Sequence, residues 1–353
     1  MKRDRIVYYD ILRIISIIAV IMIHSIGQNC YYLDVHSSEW HILSFLDSIF
    51  RWAVPCLVML SGALALNHET TIDLIKLYKK KIFKIIYVFA FWSIVYALYE
   101  KAVNADMGLA VFCSHIVAGH YHMWFLFMIV GLYIIVPLIK SFCSNMKLVR
   151  YFLVLSLVFT FGITTIRNLS DIFIVGNGTL TMMLNVLNDD WQKVNYHFSI
   201  GYVTYFVAGF YLSQIEISKR IRRVIYVLSA LGFISTILLS IGIAYIQSKP
   251  YGFYDNFSLN VMLESMGVFV FVKYGVHDYS ECVKRILEVI AKYCLGIYIV
   301  HVLILDLLEN LGLSSLSFHP LLSVPLIACI VFAISFCISA VIHHIPILKK
   351  YIV

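Results

Sequence analysis

Long apolar runs, separated by short polar or basic stretches, dominate the amino-acid sequence. A helix needs about 20 mostly apolar residues to cross a bilayer, and about ten runs approach that length. They cover residues 5–25, 41–66, 82–98, 122–139, 151–166, 197–212, 224–246, 259–274, 289–308 and 321–345. The pattern predicts an all-α polytopic membrane protein with about ten transmembrane helices.

The composition agrees with this interpretation. Hydrophobic residues make up 61% and charged residues 13% of the 353 residues, and the mean hydropathy is +0.88. Charged residues account for about a quarter of a typical soluble domain, so that class is excluded. No small-residue cleavage site follows the first run, and we expect this run to remain as a membrane anchor. We expect residues 1–353 to form a single transmembrane domain.

The basic residues predict the orientation in the membrane. Of the 27 lysines and arginines, nearly all lie before the first run, after every second run, or near the last residue. The exceptions are Arg13, Arg51, Lys101, Arg167, Lys193 and Lys249. Because basic residues concentrate in cytoplasmic loops, we expect both termini in the cytoplasm. The same placement explains the net charge of +7 without a nucleic-acid partner.

The first run carries ionisable side chains that are costly in a bilayer. An arginine at the centre of a membrane helix costs about 2.5 to 3.5 kcal/mol, so such residues are expected to serve a function. His24 follows Arg13 by eleven residues. Eleven residues make about three turns, so both side chains share one helix face about 16 Å apart. We interpret Arg13 as a fixed cation towards the cytoplasm and His24 as a base near the outer face.

Polar residues in later runs leave alternatives open. Asp47 and Arg51 are spaced to pair on one helix face, either as a stabilising ion pair or as part of a site. Pro55 is expected to kink their helix. Glu264 and His301 either line the same cavity as His24 or pair inside the bundle.

The polar stretches between the runs give weaker signals. Residues 100–121 are expected to form a loop, in which a short interfacial helix is one possibility, and residues 167–196 form the longest polar stretch. The lysines within 76–84 are explained by topology, although Lys81 and Lys84 also suit a phosphate-bearing donor. The eight cysteines show no metal-ligand spacing, so no metal site is expected.

Several motifs together resemble the acyltransferase-3 family of membrane-bound acyltransferases, whose domain has about ten helices. Arg13, ten further residues and His24 match the family's Arg-x10-His signature. The other matching segments are Pro55 to Ser61-Gly62, the basic cluster before the third run, His122-Met-Trp124-Phe125-Leu with Tyr133 and Pro137, and Leu295-Gly296-Ile297-Tyr298-Ile-Val-His301. The resemblance covers nearly the whole chain.

The resemblance implies transfer of an acyl group, commonly acetyl, from cytoplasmic acyl-CoA to a hydroxyl of an extracytoplasmic or membrane-associated acceptor. Family acceptors are mostly cell-envelope sugars. The expected partners are therefore acyl-CoA, a carbohydrate or glycolipid, and the lipid bilayer of the bacterial cytoplasmic membrane. Acyl-CoA is expected as a donor substrate, and no cofactor is expected to stay bound.

The resemblance also assigns roles to residues. His24 matches the family's essential histidine and Arg13 its partner, which would orient the donor. The family often has Arg-x-x-Arg before its third helix, where this chain has Lys81-x-x-Lys84 as candidate phosphate ligands. The further candidates for the substrate cavity are Asp10, Arg51, His122, Trp124, Glu264, Tyr298 and His301.

Two other functions stay open on the sequence. Ten helices with buried charged residues could form a transport path for a small molecule or a polysaccharide. The third hypothesis is a structural subunit of an envelope-polysaccharide system. It is disfavoured because such a subunit has no need of a charged residue at Arg13.

Overall fold

The computed structural model describes residues 5–67, 73–173, 201–275 and 279–345. These ranges contain helices and no strand, which confirms the all-α prediction. In chain order the helices are Val7–Cys30 (α1), Ser38–Ser48 (α2), Ala53–Ala65 (α3), Leu74–Val103 (α4), Leu109–Ala118 (α5), Trp124–Cys143 (α6), Met146–Ser156 with its continuations Leu157–Gly162 and Ile163–Phe173 (α7), Gly201–Gln214 (α8), Lys219–Gln247 (α9), Leu259–Gly275 (α10), Glu281–Asn310 (α11) and Pro320–His344 (α12).

The predicted apolar runs fall on these helices, with the second run divided between α2 and α3 and residues 197–200 of the sixth run outside the described residues. Within the described ranges, 8 segments are long and apolar enough to cross a membrane: α1, α2 with α3, α4, α5 with α6, α7, α9, α11 and α12. The other two, α8 and α10, have 14 and 17 described residues and are shorter than a typical span. The protein is a polytopic all-α membrane protein, while the count of ten and the orientation of the termini stay predictions.

Helix α1 lies at the centre of the bundle. It contacts α2, α3, α10, α11 and α12. Leu12 and Ile21, which are nine residues apart and so lie on opposite faces of the helix, are both 0% exposed. A helix that is apolar all round is typical of such a buried position. The central position places the ionisable residues of α1 inside the protein, where polar partners can reach them.

Two glycines let α3 and α8 pack backbone to backbone. A Cβ on Gly62 would lie 1.8 Å from the carbonyl oxygen of Phe206, and one on Gly209 would lie 1.9 Å from that of Met59. Any larger residue would push the helices apart. Small residues at such crossings are a common means of helix association in membranes, where lipid removes the hydrophobic driving force. The contact fixes α3, which forms part of a cavity wall described below.

The second predicted helix consists of two helices. Helix α2 ends at Ser48, residues 49–52 form turns, and α3 begins at Ala53. The prediction of one continuous helix with a kink at Pro55 is therefore wrong. Pro55 lies in the first turn of α3, where a backbone N–H has no intrahelical partner to lose. The proline thus starts a helix instead of bending one.

The two predicted polar stretches are partly helical. Helix α4 continues to Val103, α5 follows, and a 3-10 turn at Tyr121–Met123 leads into α6. Helix α7 runs to Phe173, so the first part of the predicted loop 167–196 is helical, and residues 174–196 lie outside the described residues. Helix α4 also contains a π turn at Tyr78–Ile82, which includes Lys81. Such turns are frequent at functional sites.

Candidate active site

Three histidines from three segments meet near the C-terminal half of α1. The ring centroid of His24 lies 5.1 Å from that of His301 on α11 and 6.3 Å from that of His122, just before α6. The rings of His122 and His301 are 5.3 Å apart. His122 and His301 are fully buried, and His24 is half-buried. The structure thus brings together three candidates from the sequence, which we call the histidine cluster.

Hydrogen bonds to α11 hold the histidine cluster in place. The Tyr298 hydroxyl donates to the carbonyl of His122. The Tyr96 hydroxyl donates to the Ile299 carbonyl at 2.7 Å and accepts from the Leu303 amide at 3.1 Å, so it bridges two groups that pair in a regular helical turn. Nε2 of His122 lies 3.3 Å from the same Ile299 carbonyl. Because a carbonyl only accepts, Nε2 carries the proton when His122 is neutral.

Further polar side chains from α4, α5 and the residues before His122 adjoin the histidine cluster. Nδ1 of His120 lies 3.0 Å from Nδ1 of His122, and the His120 ring stacks on Tyr96 with centroids 4.5 Å apart. Nε2 of His120 lies 3.6 Å from Oε1 of Glu100, whose other oxygen contacts Nδ1 of His115. Apart from His122, these residues were not among the candidates from the sequence. Their only signal was three histidines close together in a stretch expected to be a loop.

Tyr121 supplies a polar contact to His24. Its hydroxyl lies 3.4 Å from Nδ1 of His24, and the two ring centroids are 5.4 Å apart. Tyr121 is 57% exposed. His24 is therefore reached from the protein surface past this ring. Tyr121 is another residue that the sequence did not single out.

A cavity of about 220 Å³ has Tyr298 among its lining residues. Its walls come from α1, α3, α4, α6 and α11, and they are mainly apolar, with Arg13, Tyr133 and Cys294 among the lining residues. Tyr298 closes one part of this wall and also contacts the ring of His301 with centroids 5.6 Å apart. Tyr298 therefore contacts both the cavity that Arg13 lines and the histidine cluster.

The charge of Arg13 is only loosely neutralised. The carboxylate of Asp10 is bound mainly by Arg5, with contacts of 2.6 and 3.0 Å. Nη1 of Arg13 lies 3.8 Å from the same carboxylate, and the side chain is 29% exposed. Arg5 also pairs with Glu288 of α11 at 3.0 Å. Asp10 thus belongs to an ion-pair network that links α1 to α11. The positive charge of Arg13 therefore remains available to a ligand in the cavity.

The two lysine candidates differ in position. Nζ of Lys81 lies 5.1 Å from the ring centroid of Tyr133, which lines the cavity. Lys84 is half-buried on α4. Among the residues that the structure describes, neither lysine lines the cavity itself. Both present a compact ammonium group, which meets a phosphate as a point charge and not as a bidentate fork.

Arg51 and Asp47 form the predicted ion pair, with side chains 18% and 1% exposed. The guanidinium of Arg51 also lies 3.8 Å from the ring centroid of Tyr254. Burial, followed by the charge of Asp47, raises the pKa of Tyr254, so its hydroxyl stays protonated and donates to the Ser44 carbonyl at 3.2 Å. Arg51 interacts electrostatically with His24 but makes no ring contact in the histidine cluster.

Two candidates lie away from both the cavity and the cluster. Glu264 on α10 is fully buried and accepts a hydrogen bond from Thr236 of α9, which in turn accepts from Asn260 at 2.8 Å. One carboxyl oxygen of Glu264 is thus bonded inside the bundle, whereas Oε2 has no hydrogen-bond partner among the described residues. Trp124 is 42% exposed and packs on Tyr202 of α8 with ring centroids 5.7 Å apart.

The fold and the site define a helical membrane protein with an arginine-lined cavity on one side of a buried group of imidazole bases. Within the described ranges, no group of three or more histidine, cysteine, aspartate and glutamate side chains is arranged to hold a metal ion. The chain belongs to the acyltransferase-3 family, whose acyltransferase domain matches residues 6–344. The protein is accordingly a multi-pass membrane acyltransferase. Comparison with curated proteins and with solved structures gave no significant match.

Proposed function

We propose that the protein transfers an acyl group, specifically acetyl, from cytoplasmic acyl-CoA to a hydroxyl of an extracytoplasmic or membrane-associated carbohydrate or glycolipid. We place it in the bacterial cytoplasmic membrane. The observation that carries the proposal is the position of Tyr298, which lines the cavity together with Arg13 and contacts the ring of His301 beside His24. A donor held in the cavity and an acceptor held beside His24 would meet at this residue.

The cavity suits the donor. Its apolar walls fit the pantetheine arm of coenzyme A, and Arg13 offers donors to a carbonyl or amide oxygen along that arm. Lys81 lies beside the cavity wall at Tyr133, and Lys84 follows one turn later on α4. In the predicted orientation these lysines lie on the cytoplasmic side, where the nucleotide phosphates of the donor would stay.

His24 is the proposed general base. In the reaction, the acceptor hydroxyl oxygen bonds to the thioester carbonyl carbon as the carbon–sulfur bond breaks. His24 takes the hydroxyl proton and returns it to the sulfur, so the products are an ester and the free thiol of coenzyme A. General acid–base catalysis of this kind contributes about 100- to 10,000-fold in rate. His24 suits the role because it is half-buried and its Nδ1 already meets a hydroxyl.

The test follows radiolabelled acetyl from acetyl-CoA in membrane vesicles that contain the protein and native envelope material. We expect base-labile label in the carbohydrate or glycolipid fraction, and its loss in His24→Ala. His36→Ala is the matched control, because His36 is an exposed histidine outside the cluster and should leave labelling unchanged.

Two results would contradict the proposal. Equal labelling by wild type and His24→Ala would remove His24 from the reaction. A folded protein that binds no coenzyme A, at concentrations that saturate other acyltransferases, would favour transport through the bundle instead.

A further inference from the structure

We propose that His301 is a positioning residue that fixes the tautomer of His24, so that Nδ1 of His24 is the atom that takes the acceptor proton. The inference rests on the proposed function, because it assigns atoms within the same reaction. It starts from the two nitrogens of His301. One of them has a bonded partner, and the other has none in the described part of the chain.

The tautomer of His301 follows from its own helix. Nδ1 contacts the carbonyl of Tyr298, one turn earlier on α11. A carbonyl oxygen cannot donate, so Nδ1 carries the proton in the neutral ring and Nε2 is left with a lone pair. His301 is 0% exposed, and its Nε2 has no hydrogen-bond partner among the described residues. A buried polar atom without a hydrogen-bond partner costs free energy, so we expect a hydrogen-bond donor to approach Nε2 of His301.

The ring of His24 is in position to supply that donor. The centroids of His24 and His301 are 5.1 Å apart, with the planes tilted by 49°. The Tyr121 hydroxyl meets Nδ1 of His24, which leaves Nε2 of His24 to turn towards the cluster. Catalytic hydrogen bonds are often long in a free enzyme and shorten once substrate is bound. A bond from Nε2–H of His24 to Nε2 of His301 would satisfy both rings.

This bond determines which atom reacts. When Nε2 of His24 holds its proton for His301, Nδ1 carries the lone pair and faces the hydroxyl of Tyr121. Tyr121 is exposed, so its hydroxyl marks the place where an incoming acceptor hydroxyl would bind. The chain of hydrogen bonds then runs from the Tyr298 carbonyl through His301 and His24 to the acceptor hydroxyl. A residue that holds a histidine base in one tautomer has the same role as the buried acid in a hydrolase triad.

Other groups near His301 do not compete for its lone pair. His122 places its Nε2 on the Ile299 carbonyl and its Nδ1 near His120. Tyr298 donates its hydroxyl to the His122 carbonyl. Among the described residues, the titratable rings in contact with His301 are those of His24, His122 and Tyr298, and of these His24 is the one with a nitrogen left for it. Arg51 and His120 act on His24 electrostatically, and His120 also acts on His301.

The test compares His301→Leu, which removes the acceptor, with His301→Gln, whose side-chain carbonyl can accept. Acetyl transfer is measured with the labelled-acetyl assay as a function of pH and of acetyl-CoA concentration. For His301→Leu we expect kcat to fall about 100-fold, the low end for lost acid–base catalysis, with KM for acetyl-CoA unchanged. The acid limb of the kcat profile should move to lower pH. Without the His301 acceptor the protonated His24 ring is less stable, so His24 becomes protonated only at lower pH. His301→Gln should stay within about tenfold of wild type.

Each outcome decides the question. A His301→Leu protein with wild-type kcat and wild-type pH profile overturns the inference. If His301→Leu does not fold, the glutamine variant decides, since a loss beyond about 100-fold with intact coenzyme A binding also overturns it. The His24→Ala variant, assayed in parallel, distinguishes failure of the proposed function from failure of the proposed role of His301. Full activity of His24→Ala refutes the proposed function itself, whereas loss in His24→Ala with full activity in His301→Leu refutes only the role of His301.

Discussion

Replacing Arg13 by alanine should weaken the binding of coenzyme A without unfolding the protein. Arg13 lines the cavity and is 29% exposed, so its removal leaves a polar rim and no buried void. Its partner Asp10 keeps the two closer contacts from Arg5. The alanine variant therefore leaves no unpaired buried carboxylate, which would otherwise dominate the result.

The size of the effect follows from the contact that Arg13 would make. A hydrogen bond to a charged group contributes about 1.5 to 3 kcal/mol. Since about 1.4 kcal/mol corresponds to a tenfold change in affinity, the Kd for coenzyme A should rise about 10- to 150-fold. The measurement is titration calorimetry of the purified protein in lipid nanodiscs, with thermal stability followed with and without ligand. A ligand that binds only the folded state raises the melting temperature by mass action.

Asp10→Asn is the control that separates binding from structure. If Arg13 serves only the ion-pair network, both variants should lose stability and affinity together. If Arg13 serves the donor, Asp10→Asn should keep or improve affinity, because Arg13 then has no competing anion. The reasoning is refuted by an Arg13→Ala protein that binds coenzyme A with wild-type affinity, or by equal losses in the two variants.

Three further predictions use the same protein preparations. Cys294→Phe adds a ring to the wall of the 220 Å³ cavity and should abolish coenzyme A binding while the fold survives; unchanged binding would place the donor elsewhere. Gly209→Ala puts a Cβ 1.9 Å from a carbonyl oxygen and should cost about 1 to 3 kcal/mol in thermal unfolding, whereas Gly131→Ala, with no neighbour within 4 Å, should be neutral or stabilising. Glu264→Gln should keep activity and melting temperature, because an amide replaces a carboxyl whose bonded partner is the neutral Thr236; loss of transfer at full stability would return Glu264 to the active site.

Spacing along the chain was enough to predict one short-range contact, although Arg51 lies in the turns after α2 and not on a continuous helix. The pairing of Asp47 with Arg51 follows from their separation of one turn, and the structure contains it. The break before α3 did not follow, because a proline in a long apolar run is compatible both with a kink and with a new helix start. Only the turns at residues 49–52 distinguish the two.

The sequence did not predict which side chains meet between helices. His24, His122 and His301 were separate candidates, and nothing in a single sequence states that α1, α11 and the turn before α6 bring their rings within about 6 Å. Glu264 carried the same signal as His301, a lone ionisable residue in an apolar run. Their different positions are set by which helix faces which neighbour. The roles of Tyr96 and Tyr121 depend on hydroxyl positions, which residue type alone does not predict.

Tyr298 has a consequence for the energy supply of the cell. The proposed reaction takes a donor from one side of a membrane to an acceptor on the other and therefore needs a route for the acyl group, and an open route would also let protons and ions leak. Tyr298 is 5% exposed, lines the cavity, contacts the rings of His122 and His301, and donates its hydroxyl to the His122 backbone. We therefore expect this buried side chain to obstruct such a route between turnovers, which would limit leakage across the membrane.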